Sequence, residues 1–213
     1  MPKVQSPVKI KICGITNLED ALLAVKWGAD AVGFIFYKKS PRRISERTAK
    51  SIVPQLPPFV SRVGVFVDES SDRINRIVRN CRLDYAQLHG DESPGFCRKI
   101  NCKVIKAVRL KNSKSLDGLS TYKVDGFLLD AFSPDMRGGT GQTCNWTLAR
   151  KAKNLGPIIL AGGLNPSNVA DAILKTRPHG IDVCSGVEKS PGKKDPAKIK
   201  AFFNAVRTGK TTS

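Results

Sequence analysis

Two stretches decide the fold: Pro157-Ile158-Ile159-Leu160-Ala161-Gly162-Gly163 and Ile181-Asp182-Val183-Cys184-Ser185-Gly186. Each is a short apolar run that ends in a turn of small residues, and they come last in the chain. Six further runs rich in Val, Ile and Phe precede them, at residues 8–13, 31–36, 62–67, 85–88, 104–108 and 126–130. Several are apolar at consecutive positions, as expected of strands covered on both faces in a parallel sheet. Between the runs lie stretches of helical period with clear punctuation. Asn17 opens the first and Gly28 closes it, Ser45 caps the second, and Ser71-Asp72 begins the third with Ile74, Ile77, Val78 and Cys81 facing inward. Asn165-Pro166 and Asp195-Pro196 predict two more helix starts, with Pro at the favoured first position.

Eight strand–helix units in 213 residues leave about 27 residues each, tight but sufficient for a (β/α)₈ barrel. The rival, an open doubly wound sheet, needs fewer strands and places its phosphate loop after the first of them. Here the Gly-rich turns follow strands seven and eight, where barrels bind phosphate with neighbouring backbone N–H groups. The expected architecture is therefore a single (β/α)₈ TIM-barrel domain over residues 1–213, with a frayed tail at about 209–213.

Composition narrows the function. With 40% hydrophobic and 25% charged residues, the chain is neither disordered nor low in complexity. No apolar run approaches membrane-spanning length and no signal or transit pattern opens the chain. Six scattered cysteines without framework spacing read as reduced thiols of a cytoplasmic protein. Lys and Arg number 36 against 18 Asp and Glu, a net charge of +18. The cations are spread along the chain, and Arg73, Arg76, Arg79 and Arg82 drift around a helix rather than forming a stripe. Without interleaved aromatics they describe a solvated surface, so no nucleic-acid partner is expected.

In a barrel the chemistry sits where strands end and the following loops begin. Those positions hold Cys13, Arg42, Asp68, His89, Arg109 and Asp130, followed by the turns Gly162-Gly163 and Ser185-Gly186. There are only two His and no Cys-x-x-Cys, so no metal is expected. No Gly-x-Gly-x-x-Gly or P-loop occurs, so no cofactor is expected either. What remains is a thiol, a carboxyl, guanidinium groups and a phosphate cradle. That set suits acid–base chemistry on a small phosphorylated substrate. A thiol near helix N-termini and Arg can be partly thiolate and act as base, and a desolvated Asp130 can keep a proton and act as acid.

The same residues carry a family resemblance. Lys11-Ile-Cys-Gly-Ile-Thr16, Gly28-Ala-Asp-Ala-Val-Gly-Phe34, Ser40-Pro-Arg42, Gln87-Leu-His-Gly90, Leu128-Leu-Asp130, Gly138-Gly-Thr-Gly141, Ala161-Gly-Gly-Leu-Asn-Pro166 and Asp182-Val-Cys-Ser-Gly-Val-Glu188 resemble the phosphoribosylanthranilate isomerases of tryptophan biosynthesis. The likeness runs from about Val8 to Val206. It implies an Amadori rearrangement of a phosphorylated substrate, with Cys13 as general base and Asp130 as general acid. It further implies that Arg42 pairs with the anthranilate carboxylate, and that Gly162, Gly163, Ser185 and Gly186 bind phosphate. His89 and Asp182 are expected at the substrate, the latter on a hydroxyl. Residues 138–141 are expected to form a flap with residues 135–137 at its tip. Two rivals stand beside this reading: a sister isomerase acting on the aminoimidazole carboxamide ribonucleotide of histidine synthesis, and a basic nucleic-acid-binding module. The first uses Asp where Cys13 stands, and the second ignores the catalytic set. A monomer and a homodimer are both compatible with the sequence.

Overall fold

Local signals in the chain set each unit of the fold. The computed structural model describes residues 8–131 and 146–208. Strand β1 (Lys9–Ile12) leads to helix α1 (Leu18–Trp27), where Asn17 Oδ1 accepts from the Asp20 N–H and Gly28 closes the C-terminus. Strand β2 (Ala31–Ile35) is followed by α2 (Glu46–Ile52), capped by Ser45 and continued by a single 3₁₀ turn at Val53–Gln55. Strand β3 (Ser61–Phe66) feeds α3 (Ser71–Cys81), capped by Ser70, with Ile74, Ile77, Val78 and Cys81 buried as the sequence pattern predicts. Strand β4 (Tyr85–Leu88) is followed by the one-turn helix α4 (Pro94–Cys97). Strand β5 (Lys103–Leu110) comes next, then β6 (Gly126–Ala131) and α5 (Trp146–Lys151). Strand β7 (Ile158–Leu160), α6 (Val169–Thr176), β8 (Gly180–Val183) and α7 (Pro196–Thr208) complete the ring.

All eight strands pair in parallel, each with the next, and β1 closes against β8, so the described residues contain one closed barrel. Alternate residues of each strand point to opposite faces. Ile10, Ile12, Phe34, Phe66, Leu88 and Leu129 belong to the layer between barrel and helices, while Val63, Ile105, Ala107, Leu128 and Ala161 fill the interior. A short hairpin, β9 (Glu188–Ser190) with β10 (Lys193–Lys194), folds over the seam. Its backbone is tied to the loop before α1 by Thr16 Oγ1 donating to the Gly192 carbonyl at 2.6 Å, and to α1 by the Lys194 N–H donating to Asp20 at 2.9 Å.

Two sequence expectations need correction. Between β5 and β6 the chain makes only two 3₁₀ turns (Ser113–Leu116 and Leu119–Thr121), so that unit lacks an α-helix. The helix expected from Asn165-Pro166 starts at Val169 instead. Asn165 Oδ1 accepts from Ser167 and Asn168 Oδ1 accepts from Asn165, building a turn that uses the N–H groups a helix would need. The expected flap at residues 138–141 with its tip at 135–137, Cys144, and the tail at 209–213 lie outside the described residues.

Candidate active site

The C-terminal ends of the strands open into a cavity of about 680 Å³. Its walls include Cys13, Arg42, His89, Asp130, Asp182, and the turns bearing Gly162, Gly163 and Ser185. The structure thus brings together most of the residues singled out in the sequence. Asp68 and Arg109 are not among those walls. The Arg109 guanidinium turns to Asp91 at 2.8 Å, and Asp68 accepts from the Asp91 N–H at 2.7 Å, so both tie down the loop after β4.

The seam between β1 and β8 builds the first side of the cavity. Register pairs Lys11 with Asp182 and Ile12 with Val183. Lys11 and Asp182 face inward and form an ion pair of 2.8 Å with both side chains buried. Burial opposes the Lys11 charge, yet Asp182 and Cys13 together hold its ammonium above the ordinary lysine range. For Asp182 the balance falls the other way. Burial, aided by the neighbouring Cys13 and Asp130, outweighs the Lys11 charge and pushes its carboxyl up to about 7. Its second oxygen, Oδ1, is buried with no hydrogen-bond partner and belongs to the wall of the cavity.

One step further along the seam sits Cys13, whose N–H donates to the Val183 carbonyl at 2.9 Å. The Cys184 thiol beside it, and then Lys11 and Lys194, draw the Cys13 thiol well below the ordinary range against the opposing effect of burial. Cys81 and Cys102 show the contrast, since burial raises both to about 11. Gly33 of β2 leaves the space this sulfur needs: a Cβ there would lie 2.8 Å from Cys13 Sγ and 3.1 Å from Lys11 Nζ.

Strands β4 and β6 supply the facing wall. His89 Nε2 lies 3.3 Å from Asp130 Oδ2, close enough for an ion pair but not aligned for a hydrogen bond. Gln87 Nε2 stands 3.1 Å from His89 Nδ1, an arrangement that places the neutral ring's proton on Nε2, toward Asp130. Gln87 Oε1, like Asp182 Oδ1, is buried without a partner. Two unsatisfied acceptors lining one cavity are costly unless a ligand donates to them.

Arg42 reaches the cavity from the loop after β2. Its Nε and Nη2 hold the Glu188 carboxylate at 2.8–3.0 Å, and Lys194 Nζ holds the same carboxylate at 3.1 Å. Although burial pushes the other way, these two cations keep Glu188 below the usual carboxylate range.

The turns after β7 and β8 interlock. Gly162 and Gly163 adopt φ of +83° and +63°, and the Gly163 carbonyl is held by Asn168 Nδ2 at 2.9 Å and Asn165 Nδ2 at 3.3 Å. Gly186 is not among the residues that line the cavity, and a Cβ there would collide with the Leu164 carbonyl oxygen, so the two turns approach at backbone distance. Among the described residues no three His, Cys or carboxylate side chains form a group able to hold a metal. No described helix is long and apolar enough to cross a membrane.

The residues that sequence reading passed over are Lys11, Gln87, Cys184, Glu188 and Lys194. The signal was present for two of them. Lys11-x-Cys13 and Asp182-x-Cys184 each alternate with apolar residues, which puts Lys11 and Asp182 inward on their strands and the two cysteines just past the strand ends, at the cavity.

Comparison with known proteins agrees with this geometry. The model of the N-(5'phosphoribosyl)anthranilate (PRA) isomerase family matches residues 10–205. An N-(5'-phosphoribosyl)anthranilate isomerase of Geotalea uraniireducens is 55% identical over 199 residues, covering 93% of this chain and 98% of its own. The crystal structure of the phosphoribosyl anthranilate isomerase of Thermotoga maritima superposes with a TM-score of 0.89 at 46% identity, covering 94% of this chain and 99% of the other. A further structure of such an isomerase, in complex with reduced 1-(o-carboxyphenylamino)-1-deoxyribulose 5-phosphate, gives a TM-score of 0.85 at 45% identity over the same shares. A near-complete family match on a closed parallel barrel, with a thiol and a carboxyl lining one mouth, leads to a single assignment: the chain belongs to the N-(5'-phosphoribosyl)anthranilate isomerase family.

Proposed function

We propose that this cavity performs the family's isomerisation with Cys13 as general base and Asp130 as general acid. The reaction is the Amadori rearrangement of N-(5'-phosphoribosyl)anthranilate to 1-(o-carboxyphenylamino)-1-deoxyribulose 5-phosphate in tryptophan biosynthesis. Asp130 gives its proton to the furanose ring oxygen as the C1′–O bond breaks, and the anthranilate nitrogen takes up the positive charge as an iminium. That charge acidifies the C2′ hydrogen, which the Cys13 thiolate removes. The electron pair of the C2′–H bond flows into C1′–C2′ and neutralises the nitrogen. The enolamine then takes a proton at C1′ and gives up the proton of its C2′ hydroxyl, becoming the ketone. Proton transfers of this kind each contribute roughly 10²–10⁴-fold.

The observation that carries this reading is that a thiol drawn below its ordinary range and a carboxyl line the same cavity. His89, beside Asp130, orients that acid against the substrate. Gly162, Gly163, Ser185 and Gly186 cradle the phosphate on backbone N–H groups. The charge of Arg42, whose Nε and Nη2 are held by Glu188, attracts the anthranilate carboxylate, and Asp182 accepts from a ribose hydroxyl through Oδ1. The partner is this phosphorylated small molecule, and the reaction needs neither a metal nor an organic cofactor. The working form is a monomer or homodimer in the cytoplasm.

The test follows the loss of anthranilate fluorescence during turnover, with a chelator present, for wild type and Cys13→Ala. Turnover that survives the chelator and falls at least about 10²-fold in the variant supports the assignment. Turnover retained in the variant overturns the role of Cys13.

A further inference from the structure

Gln87 on β4 and His89 just past its end stand two residues apart, and both line the cavity. Leu88 between them belongs to the layer behind the barrel wall. Gln87 is only 1% exposed, and its amide nitrogen meets His89 Nδ1 at 3.1 Å. An amide nitrogen donates and never accepts, so Nδ1 is the acceptor and the neutral ring carries its proton on Nε2. A hydroxyl in the same place could donate or accept and would leave the choice open. At the far side of the ring Nε2 is buried, and the Asp130 carboxyl stands 3.3 Å from it. Catalytic hydrogen bonds are often long in a free enzyme and tighten once substrate fills the site.

Which ring nitrogen holds the proton decides what Asp130 can do. With Nε2–H facing it, Oδ2 is an acceptor and the acid's own proton sits on Oδ1. Once that proton has left, the new carboxylate keeps a donor against it. With the proton on Nδ1, a bare Nε2 would accept the acid's proton and hold it back from the substrate. The carboxylate formed would then face a lone pair. We propose that Gln87 is a positioning residue of the isomerase, whose amide N–H locks His89 in the Nε2–H tautomer and so keeps Asp130 competent as the acid. Because the amide nitrogen is committed to His89, the buried and unpartnered Oε1 is left to accept from a donor of the substrate. The inference rests on the reading of Asp130 as the acid. It gives a catalytic task to an uncharged side chain that reacts with nothing.

The test reads the tautomer directly. The chain has two histidines, and the second supplies an internal standard. His179 Nδ1 accepts from the Ile158 N–H at 3.2 Å, so that nitrogen is bare as well. Histidine labelled with ¹⁵N is observed by NMR in substrate-free protein at about pH 8, above the ordinary imidazole range. His89→Asn identifies the His89 signals. In wild type both rings show the low-field resonance of a bare Nδ1. In Gln87→Met the His89 signals move toward those of the Nδ1–H tautomer, while those of His179 stay in place. Gln87→Glu, whose carboxylate accepts, protonates Nδ1 outright. Turnover follows the tautomer: kcat falls about tenfold in Gln87→Met and about a hundredfold in Gln87→Glu, in both cases by more than KM rises. Gln87→Leu gives the same reading if the methionine variant does not hold its fold. A protonated Nδ1 at His89 in wild type, or His89 signals unchanged in Gln87→Met or Gln87→Leu, overturns the proposal. Full activity in Asp130→Asn overturns instead the reading of Asp130 as acid. The two failures are therefore told apart.

Discussion

Two of the lysine–carboxylate pairs that the barrel buries have opposite outcomes. On the outer side of β5, Lys106 Nζ donates to the carbonyls of Leu88, Gly90 and Ala107 and to Glu92 Oε2, all within 3.3 Å. Glu92 in turn accepts from the N–H groups of Asp68 and Gly90 at 3.0–3.1 Å. Every strong polar group there has its partner, and the result is a fixed loop. On the inner side of β1, Lys11 shares its charge between Asp182 and Cys13, while Asp182 Oδ1 has no partner. Charge balance is similar in the two pairs, but satisfaction is not. A buried network that is complete serves the fold, and one left open toward a cavity is ready for a ligand.

The sharpest way to break this comparison is to remove each ammonium in turn. Lys106→Met strands Glu92 as a buried anion and should cost about 3–5 kcal/mol of stability, read as a lower urea midpoint. Its kcat/KM, measured where the variant is folded, should stay near wild type. Lys11→Met should do the reverse. Asp182, with its carboxyl already at about 7, can take up a proton and neutralise itself, so the fold loses less than in Lys106→Met. Cys13 loses a charged partner worth about 1.5–3 kcal/mol, so kcat/KM should fall roughly tenfold to a hundredfold. Equal stability losses in the two variants would remove the distinction.

A smaller effect sharpens it through pH. The folded carboxyl of Asp182 is raised, so the native state holds a proton that the unfolded chain releases above about pH 4. Its contribution to stability is full below that point and is lost as pH rises through about 7. Relative to Asp182→Asn, the wild type should lose at least about 1 kcal/mol between pH 4 and 7, measured by urea unfolding at each pH. A parallel course of the two proteins would mean that Lys11 keeps the carboxylate ionised throughout. The smallest effect is the control at the surface. Arg73 in the first turn of α3 pairs with Glu69, just before the helix, at 2.8 Å with its side chain 37% exposed, and Arg73→Ala should shift stability by no more than about 0.5 kcal/mol.

The parts of this molecule that could be read from sequence are those set by near neighbours. Alternation and run length placed all eight strands, and capping side chains at Asn17 and Ser45 marked helix starts that hydrogen bonds confirm. Strand ends pointed to Cys13, His89 and Asp130 because a barrel gathers such ends in one place. What escaped depends on partners far along the chain. A lysine in a strand reads as a surface residue, since buried lysines are rare without a counter-charge. The partner of Lys11 lies 171 positions away. Lys194 is wholly buried for the same kind of reason, against a carboxylate whose own setting depends on Arg42. The late start of α6 escaped because Asn165 and Asn168 compete for the N–H groups a helix would claim.

The position of the proposed base at the β1–β8 seam also has a kinetic side. Cys13 and Lys11 come from the first strand and Asp182 and Cys184 from the last region of the barrel, so apart from Lys11 the surroundings of the Cys13 thiol are built from contacts of high sequence separation. Such contacts pay the largest loop-closure entropy and are the slowest to gain by it. A chain with seven strands docked and the eighth still free would have most of its hydrophobic core and an ordinary cysteine at position 13. Regain of turnover during refolding therefore times the closing of the ring, a step that strand content alone would scarcely register.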